Sequence, residues 1–69
     1  MSVTSTVARV RETSTHADVM LHASPRIFRL ARSHPRFDVL LRTLQDATAS
    51  GAMLVAEVDD AGAVVDVTA

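Results

Sequence analysis

No cysteine occurs anywhere in this 69-residue chain, so neither a disulfide nor a thiolate metal site can staple it. Tryptophan and tyrosine are missing too. The two phenylalanines, Phe28 and Phe37, are both needed for a core, which leaves no aromatic platform on which nucleic-acid bases could stack. There is no lysine, since all seven basic residues are arginine; this accompanies the high Ala and Val content and is weak evidence for bidentate phosphate contacts. The longest apolar run, Ala52 to Ala56, is far too short to cross a bilayer. The start, Met1 to Thr6, has neither a basic region nor a hydrophobic run, so no signal peptide is expected and the cytoplasm is the default location. No Cys nucleophile, Gly-rich phosphate loop or Ser motif is found, and the expectation is a protein that is not an enzyme and takes no cofactor.

What is present argues for a folded globule. Apolar residues make up 48% of the chain, too many for a disordered segment. The length suits one domain spanning residues 1–69, near the size at which a single core barely offsets chain entropy, and oligomerisation is the remaining common remedy. Charge is unevenly spread: residues 1–45 hold seven Arg against three acids, a balance of +4, and the last 24 hold five acids and no base, a balance of −5. Such asymmetry suits nucleic-acid binding, and equally subunits that meet basic face to acidic face.

Ser33 to Gly51 carries the one convincing helix, over about residues 35–50. Pro35 suits the first helical position, where its missing N–H costs nothing, with Ser33 or His34 as the cap. Gly51 supplies the stop. Phe37, Leu40, Leu41, Leu44, Ala47 and Thr48 recur at the spacing of one buried helix face. Asp38, Arg42 and Asp46 lie four residues apart on the opposite face, where Arg42 can pair with both acids.

Thr4 to Glu12 and Ala17 to Ala23 read as a hairpin closed by Thr13 to His16. That register sets Val10 against Val19, Ala8 against Leu21 and Thr6 against Ala23 on one face, and Arg11 against Asp18, Arg9 against Met20 and Val7 against His22 on the other. Ser24-Pro25 ends the second strand. Arg26 to Ala31 forms a third, with Phe28 and Leu30 facing Leu21 and Val19. After the helix, Asp59-Asp60-Ala61-Gly62 is a four-residue turn with Gly last. It sets Val58, Ala56 and Leu54 against Ala63, Val65 and Val67 inside, leaving Met53, Val55, Glu57, Val64 and Asp66 outside.

The fold class is therefore α+β, mostly β: a small five-stranded antiparallel barrel or sheet in the order β-β-β-α-β-β. With the helix between the third and fourth strands, this order resembles the OB-fold, a five-stranded Greek-key barrel whose helix plugs one end. The run Ser24 to Leu30, then His34-Pro35-Arg36-Phe37, Leu40-Leu41, Ala47, Gly51 and a final hairpin is similar to very small bacterial single-domain OB proteins. The short first and last loops depart from the ligand-binding loops usual in that family. An open sheet covered by the helix is the alternative architecture.

Each candidate site has a plain counterpart. His16, Asp18 and His22 share one strand parity, as metal ligands must, but Met20 intervenes and no closely spaced third ligand appears; ordinary surface residues are the better reading. His34 suits a cap better than a general acid or base. Asp59 and Asp60 are turn chemistry. Arg9, Arg11 and Arg29 share the outward face of the first three strands with Arg26 at its rim; the OB resemblance makes this the surface on which nucleic acid would lie, against a plain solvated face. Met53, Val55 and Val64 cluster outward on the last hairpin, with Val7 outward elsewhere. The leading expectation is a non-enzymatic interaction module forming a homo-oligomer through that cluster, with a protein partner also open. The alternative is a nucleic-acid-binding module using Arg9, Arg11, Arg26 and Arg29. No membrane partner and no metal are expected.

Overall fold

A computed structural model describes residues 1–68. Its elements are β1 (Ser2–Glu12), β2 (His16–Leu21), β3 (Ile27–Ala31), α1 (Phe37–Ser50), β4 (Met53–Val58) and β5 (Val64–Thr68), the expected order of three strands, a helix and two strands. All five strands form one antiparallel sheet in the spatial order β3-β2-β1-β4-β5. The sheet is not closed. Its edge strands approach at one parallel bridge, Arg29 with Ala63, where the Arg29 N–H donates to the Gly62 carbonyl at 2.9 Å. This arrangement is compatible with an OB-like topology.

β1 is the central strand because it serves two partners. Its first half pairs with β4 (Val3 with Ala56, Ser5 with Leu54) and its second half with β2 (Val10 with Val19, Arg11 with Asp18). The halves are joined by a bulge at Ala8, between Val7 and Arg9. The expected register holds from Arg9 to Glu12. At the bulge it slips, so that Val7 rather than Ala8 faces Leu21; Val7 is buried and Ala8 exposed. An extra residue on one strand bends it and raises its local twist, which lets β1 leave β2 and continue along β4. Ser5, the one buried polar residue among those described, is satisfied: its Oγ donates to the Thr6 carbonyl and accepts from the Ala23 N–H.

β3 keeps the expected faces but sits two residues further along β2, with Phe28 against Val19 and Leu30 against Ala17. In the last hairpin the turn is as expected, with Gly62 at φ 83. Asp59 closes it from both sides: its Oδ1 accepts from the Ala61 and Ala63 N–H groups at 2.9 Å, and its own N–H donates to the Ala63 carbonyl. Ala63 is thereby held in the turn and the ladder resumes one residue later, with Val58 against Val64; past a bulge at Val65 it runs two residues out of the expected register, with Ala56 against Val67 rather than Val65. The expected sides are exchanged: Val64 is buried at 3% exposure and Val65 stands out at 53%.

The helix begins two residues later than expected, at Phe37, with Pro35 in the preceding turn and Arg36 as N-cap residue. Neither Ser33 nor His34 supplies a side-chain cap to the helix; His34 closes the turn before it. Its Nδ1 accepts from the Arg36 N–H at 3.0 Å and its carbonyl accepts from the Phe37 N–H. Gly51 ends the helix at φ 70, its N–H bonded to the Ala47 carbonyl. Phe37, Leu40, Leu41, Leu44 and Ala47 are buried and pack with Val7, Ala17, Val19, Leu21, Phe28, Leu30, Leu54, Ala56, Val58, Val64 and Val67 in one core. Thr48, expected on this stripe, is exposed, and its hydroxyl donates back to the Leu44 carbonyl at 2.7 Å. Arg42 makes no ion pair with Asp38 or Asp46 among the described residues. No helix among those residues is long and apolar enough to cross a membrane.

Candidate functional site

The sheet face turned away from the helix carries two adjoining rows across β1, β2 and β3. One row is Arg9–Met20–Ile27 and the next is Arg11–Asp18–Arg29, each a set of directly opposed residues. Neighbouring strands lie about 4.8 Å apart and alternate residues about 7 Å apart along a strand, so three guanidinium groups share one small field. Alternation of side chains about the strands puts them there, and the bulge at Ala8 sits just before Arg9. Met20 is half-buried and Ile27 is 55% exposed, making an apolar centre beside the charges.

Arg9, Arg11 and Arg29 are exposed and make neither ion pairs nor side-chain hydrogen bonds among the described residues. Arg11 has the expected register with Asp18, but the Asp18 carboxylate turns to His16, whose Nε2 lies 2.9 Å from Oδ1. The other arginines near this half are occupied. Arg32 donates twice to the Thr13 carbonyl at 3.0 and 2.8 Å, reaches Glu12 at 3.6 Å and covers the Phe37 ring. Arg36 pairs with Asp66 at 3.2 Å. Arg26 stands apart from the array: its guanidinium lies over the Phe28 ring and so close to Gly62 that a Cβ there would come within 3.2 Å of it.

The remaining candidates are absorbed by structure. His22, through Nδ1, is hydrogen-bonded to Thr6 Oγ1 at 2.7 Å, away from the His16–Asp18 pair. No three His, Cys, Asp or Glu side chains among the described residues are grouped to hold a metal ion. His34 has both ring nitrogens engaged, accepting from Arg36 through Nδ1 and donating from Nε2 to the Val65 carbonyl at 2.8 Å. It straps the start of α1 to the bulge in β5. That tie spans 31 residues, and no local spacing could have pointed to it. A depression of about 260 Å³ beside it is lined by Arg32, His34, Arg36 and Asp38, the first three of which are the occupied groups just described.

On the last hairpin Met53 is 64% exposed and Val55 lies two residues further along the same outward face. Val64, expected beside them, belongs to the core. Val65 replaces it outside, but Glu57 and Asp66, opposed across the ladder, separate it from Val55 and Met53. Val7, also expected outward, is buried because of the bulge at Ala8. A search of protein-family models, curated proteins and solved structures finds no match to this chain.

Proposed function

We propose that this protein is a non-enzymatic, cytoplasmic interaction module of the small bacterial OB type, which holds the phosphate backbone of single-stranded nucleic acid on the outer face of β1, β2 and β3. One observation carries the reading. Arg9 and Arg11 on β1 and Arg29 on β3 stand on one face across β2 and make no ion pair among the described residues, the Asp18 carboxylate between them being bonded to His16, in a chain whose other side-chain charges are in several places paired. Guanidinium groups contacting phosphates release condensed counterions, which gives affinity without sequence preference. Phe28 and Phe37 are both buried, so base stacking contributes nothing on this face and phosphate contacts alone would carry the affinity. Binding of a labelled single strand measured at several salt concentrations tests it. Three phosphate contacts predict a log–log slope of about −2, and a micromolar affinity at low salt that falls steeply. No binding at low salt, or binding indifferent to salt, contradicts it.

Self-association is the second reading, favoured by the exposure of Met53 beside Val55 in a small domain without disulfide or metal. Attraction between a basic and an acidic half supports it less, because Glu57 is bonded to Ser2 and the N-terminal amine, Asp59 to its turn and Asp66 to Arg36. Sedimentation velocity on wild type and on Met53→Lys/Val55→Lys distinguishes an oligomer built on this face from a monomer.

A further inference from the structure

We propose that His16 is a proton-operated gate on the arginine face, acting through Asp18. The inference rests on the reading of that face as an anion-binding surface. Asp18 is the one carboxylate in the two rows, opposed by Arg11 on one side and Arg29 on the other, so its charge works against an arriving phosphate. Its Oδ1 accepts from His16 Nε2 at 2.9 Å, and both side chains are largely covered.

The surroundings of His16 allow a proton to be added without moving a heavy atom. Its Nδ1 lies 2.9 Å from Thr15 Oγ1 and 3.3 Å from Thr13 Oγ1. A hydroxyl donates to a bare ring nitrogen and accepts from a protonated one, simply by rotating its hydrogen. His34 lacks this freedom: its Nδ1 faces a backbone N–H and its Nε2 a backbone carbonyl, whose roles are fixed. Imidazole is also the side chain whose charge ordinarily changes between about pH 5 and 8.

The charged groups around the pair are Arg11 and Glu12 from β1, Arg29 from β3 and Arg32 just beyond it. Arg32 and Glu12 are paired with each other, so they leave the balance unchanged. With His16 neutral, three guanidinium groups less one carboxylate present two positive charges. With His16 protonated the carboxylate is offset, and they present three. Anion binding therefore strengthens as pH falls.

The test uses a labelled oligothymidylate, whose bases and phosphates keep their charge across pH 5.5–8, at constant ionic strength. Wild type and His22→Gln, which removes the other imidazole on this face, are expected to bind about fivefold more tightly at the acid end. His16→Gln should lose that dependence. Asp18→Asn, with three guanidinium groups and no carboxylate on the face, should already bind at pH 8 at the wild type's acid-end level, which keeps the test decisive if His16→Gln fails to fold, since an Asp18→Asn affinity equal to that of wild type at pH 8 also overturns the gate. Thermal melts at each pH separate lost affinity from lost structure. A pH dependence that persists in His16→Gln, or is missing from wild type, overturns the gate and leaves anion binding by the face intact. Wild type that does not bind at pH 5.5 in low salt overturns the reading of the face, and the gate with it.

Discussion

The hairpin of β1 and β2 and the hairpin of β4 and β5 both contain a bulge and both bury one apolar face, yet they handle charge in opposite ways. In the first, Arg9 and Arg11, with Arg29 alongside, point to solvent without partners, and the nearby acid, Asp18, is held by a histidine. In the second, three of the four carboxylates are engaged locally at the surface: Asp59 organises its turn, Asp66 pairs with Arg36, and Glu57 meets Ser2 and the N-terminus, while Asp60 is exposed and makes no ion pair among the described residues. An imbalance of +4 against −5 along the chain thus does not translate into two complementary surfaces. Asp59, Asp66 and Glu57 serve the fold, and Arg9, Arg11 and Arg29 remain available to something outside it.

The sharpest contrast lies within the second hairpin, where two neighbouring valines should behave as opposites. Val64→Asp places a charge in the core and is expected to destabilise by more than about 3 kcal/mol, enough to unfold a domain this small. Val65→Asp, on the exposed side of the bulge, should stay within about 0.5 kcal/mol of wild type. Equal effects by chemical denaturation would show the bulge to be misplaced. Under the helix, Phe37→Ala is expected to cost about 3–5 kcal/mol, with Leu44→Ala close behind, and an unchanged thermal transition would show that the stripe is not buried.

Smaller effects test how the second hairpin uses its polar groups. Asp59→Ala leaves the Ala61 and Ala63 N–H groups without their acceptor and should cost about 1–2 kcal/mol. His34→Ala removes the strap between helix and bulge and should cost about 1 kcal/mol, with early hydrogen exchange at the start of α1. Replacing Arg9, Arg11 and Arg29 together by Ser is the opposite case. With no ion pair to lose, it should leave stability within about 0.5 kcal/mol.

The helix stripe was legible because Phe37, Leu40, Leu41, Leu44 and Ala47 keep one spacing with polar residues between them. Both glycine stops were legible because Gly51 and Gly62 alone could take a positive φ without a side-chain penalty. The bulges were not. At Val64-Val65 two like residues are adjacent, and at Val7-Ala8 two small apolar ones, so hydrophobic alternation fits either residue facing inward and nothing local marks the extra position. The place of the arginine face was readable from strand parity, but its lack of partners was not: a sequence supplies charges without saying which of them meet. Asp18 was placed correctly opposite Arg11 and still bonds to His16, two residues away on its own strand.

The central claim is that the free arginines of β1 and β3 serve an external anion, and the most direct measurement compares the salt dependence of oligonucleotide binding by wild type with that of Arg9→Ser/Arg11→Ser/Arg29→Ser. The account predicts that wild type binds at low salt with a log–log slope of about −2, and that the triple variant, folded and equally stable, loses both the affinity and the slope. A triple variant that binds as wild type does would contradict it.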